Sequence, residues 1–281
     1  MSQSPQVADG TEQPPACPRH PDRVSYVRCQ RCDRPVCPEC QVPSSVGVHC
    51  VDCARESAGR RRGARTLLGG TAVAEATVTQ ALIVACVVVY LAQRLVPSLT
   101  WNLAMVPALT GSQPWRVLTT AFLHGSFMHL AFNMWALWVC GTVLEPVLGR
   151  WRYCALYLLS ALGGSTAVLW LAHPGADSWW TATVGASGAV FGLFAAMFVI
   201  QHRFGRDSSA ILGLLAVNLV ISFLGSGISW QGHLGGLVTG AVVAALYAWA
   251  PRQRRTGYGV WGSVAIGVLL VALCVLRVAI A

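Results

Sequence analysis

From residue 76 onward the chain alternates long apolar runs with short polar gaps. Seven runs lie near 76–93, 124–145, 153–172, 187–201, 209–225, 231–250 and 259–280. At ~1.5 Å of rise per residue, each is long enough for a helix that crosses, or nearly crosses, a hydrocarbon core of ~30 Å. The pattern predicts an all-α polytopic membrane domain over 75–281. A long loop follows the first run, with Pro97, Trp101, Pro107, Pro114 and Trp115, and its Trp residues suit a membrane interface. Before residue 75 the periodicity disappears. Residues 1–14 read as a disordered tail, 15–55 as a Cys-rich module, and 56–74, with Arg60, Arg61, Arg62 and Arg65, as a flexible basic linker.

Composition adds the class and the orientation. The 281 residues are 54% hydrophobic and only 11% charged, where a soluble domain carries about 25%; mean hydropathy is +0.54. The net charge of +9 comes from 20 basic residues, all Arg. Arg60–Arg65, then Arg150 and Arg152, Arg203 and Arg206, and Arg252, Arg254 and Arg255 fall in alternate gaps. The other gaps hold Arg94 and Arg116 in the long loop and no Arg in 173–186 or 226–230. This placement speaks against nucleic acid as a partner and for a multi-pass protein in the inner (plasma) membrane, N-terminus cytoplasmic and C-terminus outside. Arg277 is the exception, expected to snorkel outward. The polar N-terminus has no apolar h-region, so no cleaved signal peptide is expected.

The polar residues inside the runs then stand out. His129 and Asn133 lie in the first turns of the second run, Ser187 opens the fourth and His233 opens the sixth. With this topology all four sit in the outer half of the bilayer. Ser187 is 16 residues from Arg203 and His233 is 19 from Arg252, or ~24 and ~28 Å along a helix, so a hydroxyl and an imidazole can meet below the outer boundary. Intramembrane His is costly unless partnered. Serine is a weak nucleophile until a base takes its proton, and His is the natural base near neutral pH. His129 and Asn133, four residues apart, share one helix face and can donate to an oxyanion. Asp207 and Glu145 fall at the inner side and Asp177 in an outer Pro/Gly loop, so a Ser–His dyad without a carboxylate is expected, its His oriented by packing. Gly236 and Gly240 form a G-x-x-x-G pair, and Gly188 follows the serine, which lets the fourth and sixth helices approach.

Three motifs in order, WRVLTTAFLHGSFMHLAFN, GASG and GHLGGLVTG, resemble the rhomboid intramembrane serine proteases over roughly residues 76–281. The resemblance implies a six-helix core plus a C-terminal seventh helix, with Ser187 as nucleophile in the Gly185–Gly188 motif and His233 as general base and acid. It implies an oxyanion hole from His129, Asn133 and the Ser187 N–H. Trp115 and Arg116 match the family's Trp-Arg pair, read here as interfacial anchors. Glu145 and the following GRWRY match its structural positions, and His124 is expected to brace the first loop. Phe191 stands where some members carry Tyr. Substrates would be transmembrane helices presented within the lipid bilayer, cut without any cofactor. The rival readings are a catalytically silent rhomboid-like protein that binds transmembrane clients, and a transporter or proton relay.

The N-terminal Cys residues carry separate chemistry. Cys17-x2-His20, Cys29-x2-Cys32, Cys37-x2-Cys40 and Cys50-x2-Cys53 are four chelating pairs, enough for two tetrahedral zinc sites of structural type. Both interleaved and sequential pairing are open, and His49 could stand in for Cys50. The pattern resembles B-box-type zinc fingers, which favours Cys17, His20, Cys37 and Cys40 at one site and Cys29, Cys32, Cys50 and Cys53 at the other. Such a module is expected to bind a cytoplasmic protein.

Overall fold

The computed structural model describes residues 14–62, 65–225 and 227–281; the predicted tail lies outside these as far as residue 13. The chain divides into two units, Met1–Ala64 and Arg65–Ala281.

In the first unit β1 (Ala16–Cys17) pairs antiparallel with β2 (His20–Val24), and β3 (Gln41–Pro43) with β4 (Val48–Cys50). Helix α1 (Val51–Arg62) follows directly. It runs through the first part of the stretch expected to be a flexible linker, because Ala, Arg and Glu in CARESAGRRR are good helix formers. Among its described residues the buried cluster is Val36 and six cysteines, so that cluster is mostly sulfur rather than hydrocarbon.

The second unit begins with the rest of that predicted linker, which is packed instead of free. Leu68 is buried in the core, and a Cβ on Gly70 would collide with the Leu148 carbonyl. Then come α2 (Thr77–Leu95), the short α3 (Ser98–Leu103) and α4 (Arg116–Thr119) in the long loop, α5 (Phe127–Leu148), α6 (Arg150–Leu171), the short α7 (Asp177–Trp180), α8 (Ser187–Arg203), α9 (Ser209–Leu224), α10 (Trp230–Ala248) and α11 (Arg255–Ala279). The spans Thr77–Leu95, Phe127–Leu148, Arg150–Leu171 and Arg252–Ala279 are long and apolar enough to cross a membrane. α8 and α10 carry more polar residues but still reach ~25 and ~28 Å. The chain is a multi-pass membrane protein. Exposed apolar side chains on α2 (Val84, Val88), α9 (Val217, Val220) and α11 (Val268, Val275) form its lipid-facing surface.

α6, α8 and α10 make the centre. Their contact is backbone on backbone: a Cβ on Gly236 would strike the Gly188 carbonyl, and one on Gly240 would strike Gly192. Gly163 and Gly164 of α6 face Thr239 and the Gly232 carbonyl in the same way. Small residues at all these positions let three helices pack at a distance that side chains would forbid.

Two arginines depart from their predicted places. Arg116 is 3% exposed and does not anchor at an interface. Its Nη1 donates to the carbonyls of Trp101 (2.6 Å) and Ala104 (2.7 Å), and its Nε to Gln113 Oε1 (2.8 Å). The guanidinium satisfies loop carbonyls that have no strand or helix partner, which offsets its burial. Trp115 is half exposed, with Nε1 donating to Asn102. Arg277, rather than snorkelling, turns inward to donate to the Ala172 carbonyl at the end of α6 (2.8 Å), over the Trp179 ring.

Glu145, fully buried near the end of α5, caps a different helix. Its carboxylate accepts from the N–H of Val78 and of Thr79 and from the Thr79 hydroxyl, at 2.9, 2.9 and 2.8 Å. These are orphan donors in the first turn of α2, where the helix dipole favours an anion. Glu145→Ala strands them in the interior and is expected to cost at least about 3 kcal/mol, read as a fall in thermal midpoint of the detergent-solubilised protein. A midpoint equal to wild type would remove Glu145 as the cap that holds α2.

Candidate active site and metal clusters

Two loops of the second unit are laced together above the helix bundle. Thr183 and Met105 exchange backbone hydrogen bonds, the Thr120 hydroxyl donates to the Thr183 carbonyl (2.6 Å), and the Gly185 N–H donates to Thr120 (3.0 Å). Gly185 follows at φ +135°, a conformation closed to other residues, and the chain turns into α8 at Ser187. Ser187 therefore sits in the first turn of α8, where N–H groups have no carbonyl a turn behind them.

Ser187 Oγ lies 2.7 Å from His233 Nε2. His233, in the first turn of α10, is buried, and Phe191, one turn after Ser187, stacks on its ring with centroids 4.2 Å apart and planes 13° from parallel. Its other nitrogen, Nδ1, lies 2.6 Å from the hydroxyl of Ser222 on α9. The sequence reading assigned the orientation of this ring to packing alone and missed Ser222. The available signal was the pair Asn218 and Ser222, four residues apart in an otherwise apolar helix.

His129 stands across the serine. A Cβ on Gly185 would meet His129 Nε2 at 2.9 Å and Ser187 Oγ at 3.5 Å, so ring and hydroxyl border one small space. The Gly125 N–H faces His129 Nδ1 at 3.5 Å, which leaves Nε2 as the ring's donor on the side of Ser187. The Ser126 hydroxyl caps α5 by accepting from the His129 N–H (3.1 Å). One turn on, the Asn133 amide donates to the His129 carbonyl (2.9 Å) and lines the same cavity. His124 stands edge-on to His129 with centroids 5.2 Å apart. Its backbone N–H donates to Gln93 Oε1 of α2 (3.0 Å), a buried contact between segments 31 residues apart. Ser187, His233, His129, Asn133 and Ser222 all border one cavity of about 610 Å³, walled by apolar groups such as Met105, Phe132 and Trp135.

The first unit gathers its pairs in interleaved sets, Cys17, His20, Cys37 and Cys40 in one and Cys29, Cys32, Cys50 and Cys53 in the other, with the donor atoms of each set within 4.8 Å of one another. His49 is in neither. His20 Nδ1 is 3.3 Å from Cys37 Sγ and 3.5 Å from Cys40 Sγ, and Cys32 Sγ is 3.8 Å from Cys50 Sγ. A tetrahedron with metal–sulfur bonds of ~2.3 Å has edges of ~3.8 Å, so both sets fit a zinc-sized ion. The thiols of each set oppose one another electrostatically. The Cys37 N–H draws the Cys17 thiol down to about 6. Burial opposes ionisation of Cys29, but the N–H groups of Cys50, Arg31 and Cys32 bring it to about 6. Burial, helped by neighbouring sulfurs, drives Cys40 up to about 11 and Cys53 to about 12. A divalent cation removes that conflict by taking all of them as thiolates, and the Arg34 guanidinium already donates to Cys32 Sγ (3.4 Å).

Comparison with known proteins follows the same lines. Residues 111–250 match the family model of the Rhomboid domain. The chain is similar to Rhomboid protease GluP of Bacillus subtilis (strain 168), 35% identical over 57% of this chain and 30% of that protein. It is similar to Rhomboid protease AarA of Providencia stuartii, 31% identical over 53% of this chain and 60% of that protein. These matches thus span less than two thirds of either relative. A further Bacillus subtilis protein named among rhomboid proteases, YdcA, is 34% identical over 50% of this chain and 70% of its own length. A domain match over 111–250, with a relative 34% identical and covered over more than two thirds of its length, means that this chain belongs to the rhomboid family.

Proposed function

We propose that the chain is an intramembrane serine endopeptidase that hydrolyses a peptide bond in or near a substrate transmembrane helix. The observation that carries this reading is the 2.7 Å contact between Ser187 Oγ and His233 Nε2 inside a walled cavity. Ser187 gives its proton to His233 Nε2 as Oγ bonds to the scissile carbonyl carbon. The carbonyl oxygen takes the negative charge and is met by the Ser187 N–H at the α8 terminus, His129 Nε2–H and the Asn133 amide. The C–N bond then breaks, and His233 returns the proton to the leaving amine. Water, deprotonated by the same nitrogen, releases the acyl group and restores Ser187. The cut segment has to present a bare carbonyl, so a substrate helix with Gly or Pro near the outer boundary is favoured. The alternating arginines support a cytoplasmic N-terminus in the inner (plasma) membrane. Zinc is the ion proposed for the two sets, bound for structure: three thiolates and His20 fill all four positions of one, and four thiolates fill those of the other.

A fluorophosphonate probe tests the reading. It should label the wild-type protein and neither Ser187→Ala nor His233→Ala. Equal labelling of wild type and Ser187→Ala would remove the assignment.

A further inference from the structure

His233 has two nitrogens, and catalysis by Ser187 needs the one facing it to be bare. Stacking on Phe191 fixes the plane of the ring but not the proton, because either tautomer stacks equally well. The contact with α9 decides it. Ser222, 2% exposed, lies 2.6 Å from His233 Nδ1 and 2.7 Å from the Asn218 carbonyl one turn back. A serine hydroxyl has one hydrogen, and a carbonyl only accepts. The hydrogen of Ser222 therefore goes to Asn218, and its oxygen turns a lone pair toward Nδ1. Nδ1 must carry the ring proton to make that contact. Nε2 is then left bare toward the Ser187 hydroxyl at 2.7 Å. The opposite tautomer would set two lone pairs against each other at 2.6 Å and point an N–H at the group to be deprotonated.

We infer that Ser222 is a positioning residue that holds His233 in the Nδ1–H tautomer, in the place a carboxylate takes in other serine hydrolases. The inference rests on the endopeptidase reading above. It adds a neutral third member to the Ser187–His233 pair, one that orients the base without adding a charge to an intramembrane site. It also ties α9 to the chemistry. The buried residues of α9 are Leu215 and Ser222, so the seating of this lightly packed helix and the orientation of the imidazole are one event.

The test compares full-length wild type with Ser222→Ala, Ser222→Val and Ser222→Thr in detergent, on a single-span substrate. Losing the acceptor in Ser222→Ala or Ser222→Val should lower kcat roughly tenfold while KM changes less than about twofold. Ser222→Thr has the shape of Ser222→Val but keeps the oxygen, and it should recover most of the loss. A merely structural role would follow side-chain shape and make Thr and Val alike. Nitrogen-15 spectra of labelled histidine, with the His233 signal assigned by difference from His233→Gln, should show the proton on Nδ1 in wild type and a mixture in Ser222→Val. Wild-type kcat in Ser222→Val, or a wild-type proton on Nε2, overturns the inference. Cleavage that does not depend on Ser187 is a separate failure, of the protease reading, and the nitrogen shifts still decide the tautomer.

Discussion

Ser187→Ala and His233→Ala are each expected to lower kcat by about 10⁶-fold, and the double variant to be no slower than either single. The reason is that the proposed mechanism makes the two side chains one unit. Without the hydroxyl there is no nucleophile for the imidazole to activate, and without the imidazole the hydroxyl keeps its proton. What remains is whatever the oxyanion donors achieve with water. KM should hold, because neither change alters the apolar wall of the cavity. The fold of Ser187→Ala should hold too. Ser187 makes no side-chain cap to α8, so its loss removes no helix-stabilising contact, and thermal midpoint and topology are the controls. Cleavage of a reconstituted single-span substrate with Gly and Pro near its outer end is the measurement. Losses that multiply in the double variant would mean that the two groups act independently. Full activity in Ser187→Ala would end the proposal.

The geometry behind that expectation was partly legible in the sequence, for physical reasons. Hydrophobic run length and Arg placement set seven helices, and counting rise from the inner arginines put Ser187 and His233 at similar depth; in the structure they touch. Boundaries were less legible. The second run, expected near 124–145, is a helix over Phe127–Leu148, because Ser126 caps it and it continues through Pro146 to Gly149. The third starts at Arg150, where charged residues hide the first turn from a hydropathy pattern. Other contacts between distant segments were not legible. Glu145 reaches back 66 residues to cap α2, Arg116 finds loop carbonyls that no periodicity reveals, and Ser222 meets His233 through the packing of α9 on α10. Single polar residues in apolar helices signal that a partner exists but do not say which. The predicted linker misled because Arg, Ala and Gly composition suggests solvent, while the order of residues makes 51–62 a helix and leaves Leu68 to be buried.

Zinc removal is expected to have the other large effect, confined to the first unit. Among the described residues its buried cluster offers Val36 as the one side chain that is not a cysteine, and full burial of one aliphatic side chain stabilises by only about 1.5–3 kcal/mol. Zinc in a four-ligand site of this kind contributes about 10–16 kcal/mol at neutral pH. On the zinc proposal, metal rather than hydrocarbon holds the two hairpins and their connecting knuckles. Purified full-length protein should contain two zinc ions per chain by elemental analysis. A strong chelator should strip both and make residues 15–55 sensitive to protease while the membrane helices stay intact. The ligand pairing makes a sharper claim. Changing Cys17, Cys37 and Cys40 to Ser together with His20 to Ala removes one complete interleaved set, so one zinc should remain, held by Cys29, Cys32, Cys50 and Cys53. If neighbouring pairs were joined in sequence instead, the same four changes would take two ligands from each site and both ions would be lost. A chain with no zinc before any change would refute the metal assignment, and a variant with none after it would refute the pairing.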